Sequence, residues 1–154
     1  MAELQAGAEI KAGEGFILRL RVYYADTDAG GIVYHARYLD FAERCRTELL
    51  RAVGYPLVSA EGYQFVVRRA QIDWQAPARL EELLTCKTLV TSASGARLTM
   101  RHSLFNEDGR FLTGIDVELA HVSAQHRPVR LPQALLDAIA GVRQATDSGD
   151  ATSR

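Results

Sequence analysis

Between Phe16 and Tyr24 an apolar side chain falls on every second position: Phe16, Leu18, Leu20, Val22 and Tyr24. Arg19 and Arg21 take the opposite face. A period of two marks a strand with one face buried. The turn-forming stretch Asp26-Thr27-Asp28-Ala29-Gly30-Gly31 ends it. Beyond that stretch the period lengthens. Tyr38, Phe41, Ala42, Cys45 and Leu49 follow helical spacing, while Glu43, Arg44, Arg46, Glu48 and Arg51 fall mostly elsewhere. Gly54 and Pro56 stand where a helix stops. The spacing predicts a helix from about Arg37 to Val53.

The rest of the chain reads as strands. Tyr63 to Trp74 is one, interrupted by Arg68, Arg69 and Asp73. Leu83 to Thr91, Arg97 to Phe105 and Phe111 to Val122 follow, with Ser92-Ala93-Ser94-Gly95 and Asn106-Glu107-Asp108-Gly109 as turns. Strands joined by tight turns pair antiparallel. A short helix, about Pro132 to Val142, closes the domain. This order is α+β. One apolar helix face requires one sheet face to cover it. The simplest packing wraps a curved antiparallel sheet around the long helix. Residues 1–14 are rich in Ala, Gly and Glu, and residues 144–154 are small and polar. Both read as flexible tails around a single domain over 15–143.

Composition narrows the function classes. At 154 residues, 47% hydrophobic and 24% charged, the chain buries a core without disulfides or a structural metal. Its two cysteines, Cys45 and Cys86, exclude a disulfide scaffold and read as small buried thiols. The net charge of -1 argues against a protein that binds nucleic acid by neutralising phosphates. No apolar run approaches the ~20 residues that span a bilayer. The N-terminus has early acids and no apolar signal core. The expected compartment is the cytoplasm.

The turn between the first strand and the long helix is the candidate site. Loops held by rigid elements commonly carry function. A carboxylate, Asp28, lies a few residues before a helix N-terminus, whose unpaired N–H groups stabilise developing negative charge. Together they are the two halves of an acyl-transfer site, with backbone N–H groups near Tyr34 and His35 facing the carbonyl. The plainer reading is that both acids merely cap their own turn. An EF-hand is excluded, because position 12 of a loop starting at Asp26 is Arg37.

The stretch from Arg21 to Tyr38, containing Asp26-Thr27-Asp28-Ala29-Gly30-Gly31 and then Tyr34-His35, resembles the signature of the 4-hydroxybenzoyl-CoA thioesterase-like proteins. It is most similar to the acyl-CoA thioesterases associated with the bacterial Tol–Pal system. Phe41-Ala-Glu-Arg-Cys-Arg-Thr-Glu, Phe65-Val-Val-Arg-Arg and Trp74-Gln-Ala-Pro-Ala-Arg-Leu agree with it. The resemblance implies a hotdog fold and a homodimer or homotetramer with sites at the subunit interface. It implies hydrolysis of an acyl-CoA thioester without metal or other cofactor. It places the catalytic aspartate at Asp28, accompanied by Tyr24 and His35, with Val33 and Tyr34 at the substrate. It makes an envelope-associated partner plausible, and acyl carrier protein is the rival carrier. A hotdog module that binds acyl thioesters or a partner without hydrolysis is the rival function.

Asp28 either attacks the thioester or activates water. Tyr24 bonds Asp28 or substrate, or only fills the strand end. His35 orients a water or protonates the leaving thiolate. Arg68 and Arg69 are adjacent, so a regular strand points them to opposite faces. One of them reaches coenzyme A phosphates, or both are surface ion pairs. Trp74 reads as core or interface packing, and Asp116 and Glu118 as a solvated strand face. His102, His121 and His126 lack a second ligand at metal-site spacing. No Gly-x-Ser-x-Gly is present, so a serine hydrolase has no support.

Overall fold

The long helix and the sheet it needs are both where the hydrophobic periods put them. In the computed structural model, which describes residues 7–145, the elements are β1 (Ala8–Lys11), β2 (Gly15–Arg21), α1 (Arg37–Ala52), β3 (Gln64–Trp74), β4 (Leu83–Ser94), β5 (Arg97–Phe105), β6 (Phe111–Val122) and α2 (Gln133–Ala138). Six strands form one antiparallel sheet in the order β1-β2-β4-β5-β6-β3. The stripe Tyr38, Phe41, Ala42, Cys45, Leu49 and Leu50 of α1 is buried. It packs on the inner sheet face, in one core with Leu84, Cys86, Leu98, Met100, Leu104, Ile115 and Val117. Gly54, at φ +82°, ends the helix region as its position predicts.

Five expectations are corrected. Residues 8–11 are not part of a loose tail: β1 pairs with β2 from Ala8↔Leu18 to Lys11↔Gly15. Gly13 (φ +79°) turns this hairpin, closed by the Glu14 N–H donating to the Lys11 carbonyl at 3.0 Å. The first long strand stops at Arg21, not Tyr24, because residues 24–26 form a 3-10 turn. β4 runs to Ser94 instead of Thr91, since a bulge between Val90 and Ser92 lets pairing with β5 continue to Ser94↔Arg97. The terminal helix breaks into α2 and a 3-10 turn at Ala140–Val142. The Gln144 amide, expected in the tail, donates to the Val90 carbonyl at 2.9 Å. The rest of the expected tails, residues 1–6 and 146–154, lies outside the described residues.

Among the described residues no helix is long and apolar enough to cross a membrane.

Candidate active site

The two acids of the loop have different jobs. Asp26 is buried. Its Oδ2 accepts the Tyr23 N–H at 2.8 Å, and its Oδ1 lies 3.5 Å from Nε of Arg37. Arg37 also donates to the Ala25 carbonyl at 3.1 Å and to Asp40 at 2.8 Å. The Asp26–Arg37 pair therefore clamps the loop to the first turn of α1.

Asp28 is exposed. Its amide donates to the Ile32 carbonyl at 2.9 Å, and the Gly31 amide donates back to the Asp28 carbonyl at 3.1 Å. With the Thr27↔Val33 bridge, residues 28–31 become the tip of a small hairpin. Gly31 supplies the φ of +77° that the tip requires. Oδ1 of Asp28 accepts the Gly30 N–H at 2.8 Å. Oδ2 meets no donor among the described residues. Asp28 thus caps its turn with one oxygen and presents the other.

The returning chain is pinned on both sides. The Val33 amide donates to the Ala78 carbonyl and the Tyr34 amide to the Asp26 carbonyl, both at 2.9 Å. This corrects one expectation: the Tyr34 N–H is consumed and cannot polarise a substrate. At the start of α1 the amides of His35 and Ala36 have no backbone acceptor among the described residues. The helix has no side-chain cap, because its N-cap residue is Ala36. The positive end of α1 is left unfilled at this point.

The His35 ring is exposed, 4.4 Å from the Tyr34 ring and edge-on to Trp74 at 6.1 Å between centroids. Beside it opens a mostly apolar cavity of about 310 Å³, lined by Ile32, Val33, His35, Tyr38, Trp74 and Pro77 among others. Tyr38 stands at its base, where its hydroxyl accepts the Ala78 N–H at 3.2 Å. Burial pushes that hydroxyl above its usual pKa, so it stays protonated. Trp74 is not core. It is 51% exposed and its indole N–H donates to the His35 carbonyl at 3.1 Å.

Asp28, Val33, Tyr34 and His35 thus lie on one loop that leads into α1, with Val33 and His35 lining the cavity. It does not bring Tyr24 to Asp28 within one chain: Tyr24 is 83% exposed and shares no hydrogen bond with the aspartate. Arg68 and Arg69 lie elsewhere, six residues or fewer from Trp74 along β3, which for Arg68 is about 20 Å. A bulge between Val67 and Arg69 breaks the expected alternation. Arg69 lies opposite Glu118 in register, and Arg68 bonds the same carboxylate at 3.1 Å. Both arginines therefore fall on the outer sheet face, not on opposite faces. Arg97 also reaches Glu118, at 2.6 Å.

Among the described residues no group of three His, Cys, Asp or Glu side chains is placed to hold a metal. His102 and His121 are buried and bonded to neighbours. His102 Nδ1 lies 2.7 Å from the Thr88 hydroxyl, and His121 sits between the Tyr55 hydroxyl and the Val129 carbonyl at 2.8 and 2.9 Å. Cys45 and Cys86 are free and buried, as their apolar positions predict. Sequence reasoning missed Tyr38 and Trp74 as site walls. Trp74 stands within a motif that caught attention, but its contact with His35 spans 39 residues and follows only from the fold.

The profile of the Thioesterase superfamily matches residues 30–113. Over 120 residues the chain is 39% identical to the acyl-CoA thioester hydrolase YbgC of Escherichia coli, covering 76% of this chain and 90% of that protein. Against the acyl-CoA thioesterase YbgC of Haemophilus influenzae it is 40% identical over 123 residues, covering 77% and 90%. The crystal structure of a probable thioesterase from Bartonella henselae superposes with a TM-score of 0.71 at 40% identity, covering 75% of this chain and 98% of that one. A hypothetical protein from Aquifex aeolicus superposes with a TM-score of 0.75 at 26% identity, covering 80% and 98%.

Proposed function

This chain belongs to the Thioesterase superfamily, it is an acyl-CoA thioesterase of hotdog fold, and we propose that Asp28 carries its chemistry. The observation behind this reading is the contrast within one loop. Asp26 is buried and engaged, whereas Asp28 is exposed and holds a free carboxylate oxygen in the loop that leads into an uncapped helix.

The substrate carbonyl carbon meets Asp28 on one side, and its oxygen meets the amides of His35 and Ala36. Two routes fit. In the first, Asp28 Oδ2 attacks the carbonyl carbon. The carbonyl electron pair moves to oxygen, and the oxyanion is held by the two N–H groups. Collapse breaks the carbon–sulfur bond, leaving a mixed anhydride and coenzyme A thiolate. Water then cleaves the anhydride to the free acid and restores Asp28. In the second, Asp28 takes a proton from water as that water attacks, and the same collapse expels the thiolate. His35 gives a proton to the departing sulfur in either route. The good thiolate leaving group means that placement supplies most of the catalysis.

The apolar cavity beside His35 receives the acyl group, with Val33 and Trp74 as walls and Tyr34 at the rim. Tyr24, whose hydroxyl has no hydrogen-bond partner among the described residues, reaches the substrate of an adjoining protomer in a homodimer or homotetramer. Arg69 is exposed and carries no ion pair among the described residues, so it is the member of the Arg68–Arg69 pair left for a coenzyme A phosphate. The cytoplasm as compartment, and a place beside the Tol–Pal envelope system, rest on the composition and on the loop and helix motifs.

The test is thiol release from acyl-CoAs of short, medium and long chain plus an aromatic one. Turnover of at least one, without added metal and unaffected by a chelator, is expected. No turnover on coenzyme A esters, with hydrolysis of acyl carrier protein thioesters, would replace the carrier. No turnover on either would leave a binding module.

A further inference from the structure

The carbonyl of His35 stands just before the helix ladder, because His35 precedes the N-cap Ala36. Were the helix to begin one turn earlier, this oxygen would accept the amide of Leu39. Leu39 instead donates to the Ala36 carbonyl at 3.2 Å, and the Arg37 amide donates to Tyr34 at 2.8 Å. The hydrogen bond that the His35 carbonyl does receive, among the described residues, comes from the Trp74 indole at 3.1 Å.

The consequence runs through the peptide plane. The His35 carbonyl and the Ala36 N–H belong to one planar unit, and in its trans form they point in opposite directions. Holding the oxygen toward Trp74 aims the Ala36 N–H away from it. That N–H is among the amides at the helix mouth with no backbone acceptor among the described residues. The helix offers nothing else to fix this plane, since its N-cap is an alanine without a capping side chain. Trp74, by contrast, stands on a firm base. It pairs with Thr113 at the end of β3, and the next two amides, of Gln75 and Ala76, both donate to the Leu112 carbonyl at 2.8 and 3.1 Å.

We propose that Trp74 is a positioning residue for thioester hydrolysis, a strut from the sheet to the helix mouth that aims the Ala36 amide at the substrate carbonyl oxygen. This rests on the reading of the helix mouth as the carbonyl-polarising site. The indole acts through the His35 carbonyl, so its effect belongs to the transition state, where negative charge develops on oxygen. Its ring serves a separate purpose as a wall of the acyl cavity.

Replacing Trp74 with 3-benzothienylalanine keeps the ring and removes the N–H donor. Losing an oxyanion donor outright costs about 10²–10³-fold in kcat, and losing its alignment is expected to cost on the order of tenfold. KM for the acyl-CoA should move less than about twofold, because a uniform binding contact is not lost. Trp74→Phe should behave alike in kcat and also raise KM by thinning the cavity wall. 5-Fluorotryptophan, which keeps the donor, should restore kcat. A merely structural role would lower thermal stability without this split.

A second readout does not need activity. The chain has one tryptophan, so its indole N–H gives one assignable NMR signal. That proton should exchange slowly with solvent, and the Ala36 amide resonance should shift in Trp74→Phe. Wild-type kcat in the benzothienyl variant, or an Ala36 resonance unmoved by Trp74→Phe, would overturn the proposal. Absence of thioesterase activity in the wild type would instead strike the functional reading, while the NMR arm would still decide whether the strut exists.

Discussion

Asp26 and Asp28 are separated by one threonine, yet burial gives them opposite uses. Asp26 answers a backbone N–H and a guanidinium within the protein. Asp26→Ala should leave the Tyr23 N–H without its acceptor, remove one partner of Arg37 and lower stability by about 1–3 kcal/mol, read as a lower denaturation midpoint. Asp26→Asn keeps an acceptor for Tyr23 and should cost less. Gly15 shows a similar constraint by contact. Its φ is +88°, and a Cβ there would lie 2.3 Å from the Thr88 carbonyl oxygen. Gly15→Ala should therefore destabilise the first hairpin by about 1–3 kcal/mol. The alternating acids of Asp26-Thr27-Asp28 carry no sign of which is buried. The motif resemblance assigns the second acid to chemistry, and the structure supplies a physical reason for the first to be unavailable. The oxyanion donors were harder to read. Tyr34 and His35 look equivalent in sequence, and only the carbonyl of Asp26 shows that the Tyr34 amide is taken.

Helix α1 could be read from its period because its buried stripe is long and its breakers are strong. That stripe holds the sheet, so Leu49→Ala, at a fully buried position, should cost about 2–5 kcal/mol in chemical denaturation. Strand β1 could not be read in the same way. Its four residues, Ala8-Glu9-Ile10-Lys11, contain one large apolar side chain, and pairing with β2 supplies the rest. The bulge in β3 was equally hidden, since period-two reasoning assumes that no residue is inserted. Its effect is electrostatic. Glu118 receives Arg97 and Arg68, and the hydrogen bond from Arg97 is the chief cause holding its carboxyl below the usual range. A carboxylate with a depressed folded pKa favours the folded state at neutral pH. That contribution is lost as pH falls through the folded value. Arg97→Gln should raise the Glu118 titration midpoint toward its ordinary value of 4.5, followed by carboxyl-carbon NMR.

Part of the exposed apolar surface of the domain lies near the site and part along β3. Tyr23, Tyr24, Tyr34, Leu39, Val67 and Trp74 are each at least 40% exposed, and β3 forms one edge of the sheet with Val67 on it. Exposed aromatic and apolar groups of this kind mark an interaction surface. The expected result in sedimentation equilibrium is a mass of two or four times the 17.0 kDa chain. A monomer at micromolar concentration would contradict it and leave Tyr24 without a substrate to reach. The outer sheet face differs, because its charges are largely satisfied: Arg101 pairs with Asp116 at 2.7 Å and Lys87 with Glu14 at 3.3 Å. The domain thus joins a charged outer face to an open, partly apolar helix mouth, with the Asp28 loop leading into it. The decisive assay is thiol release from the best acyl-CoA by wild type and Asp28→Asn at matched, folded concentrations. The account predicts a loss on the order of 10²–10⁴-fold in kcat with the mutant folded as the wild type. Equal turnover by Asp28→Asn would contradict it.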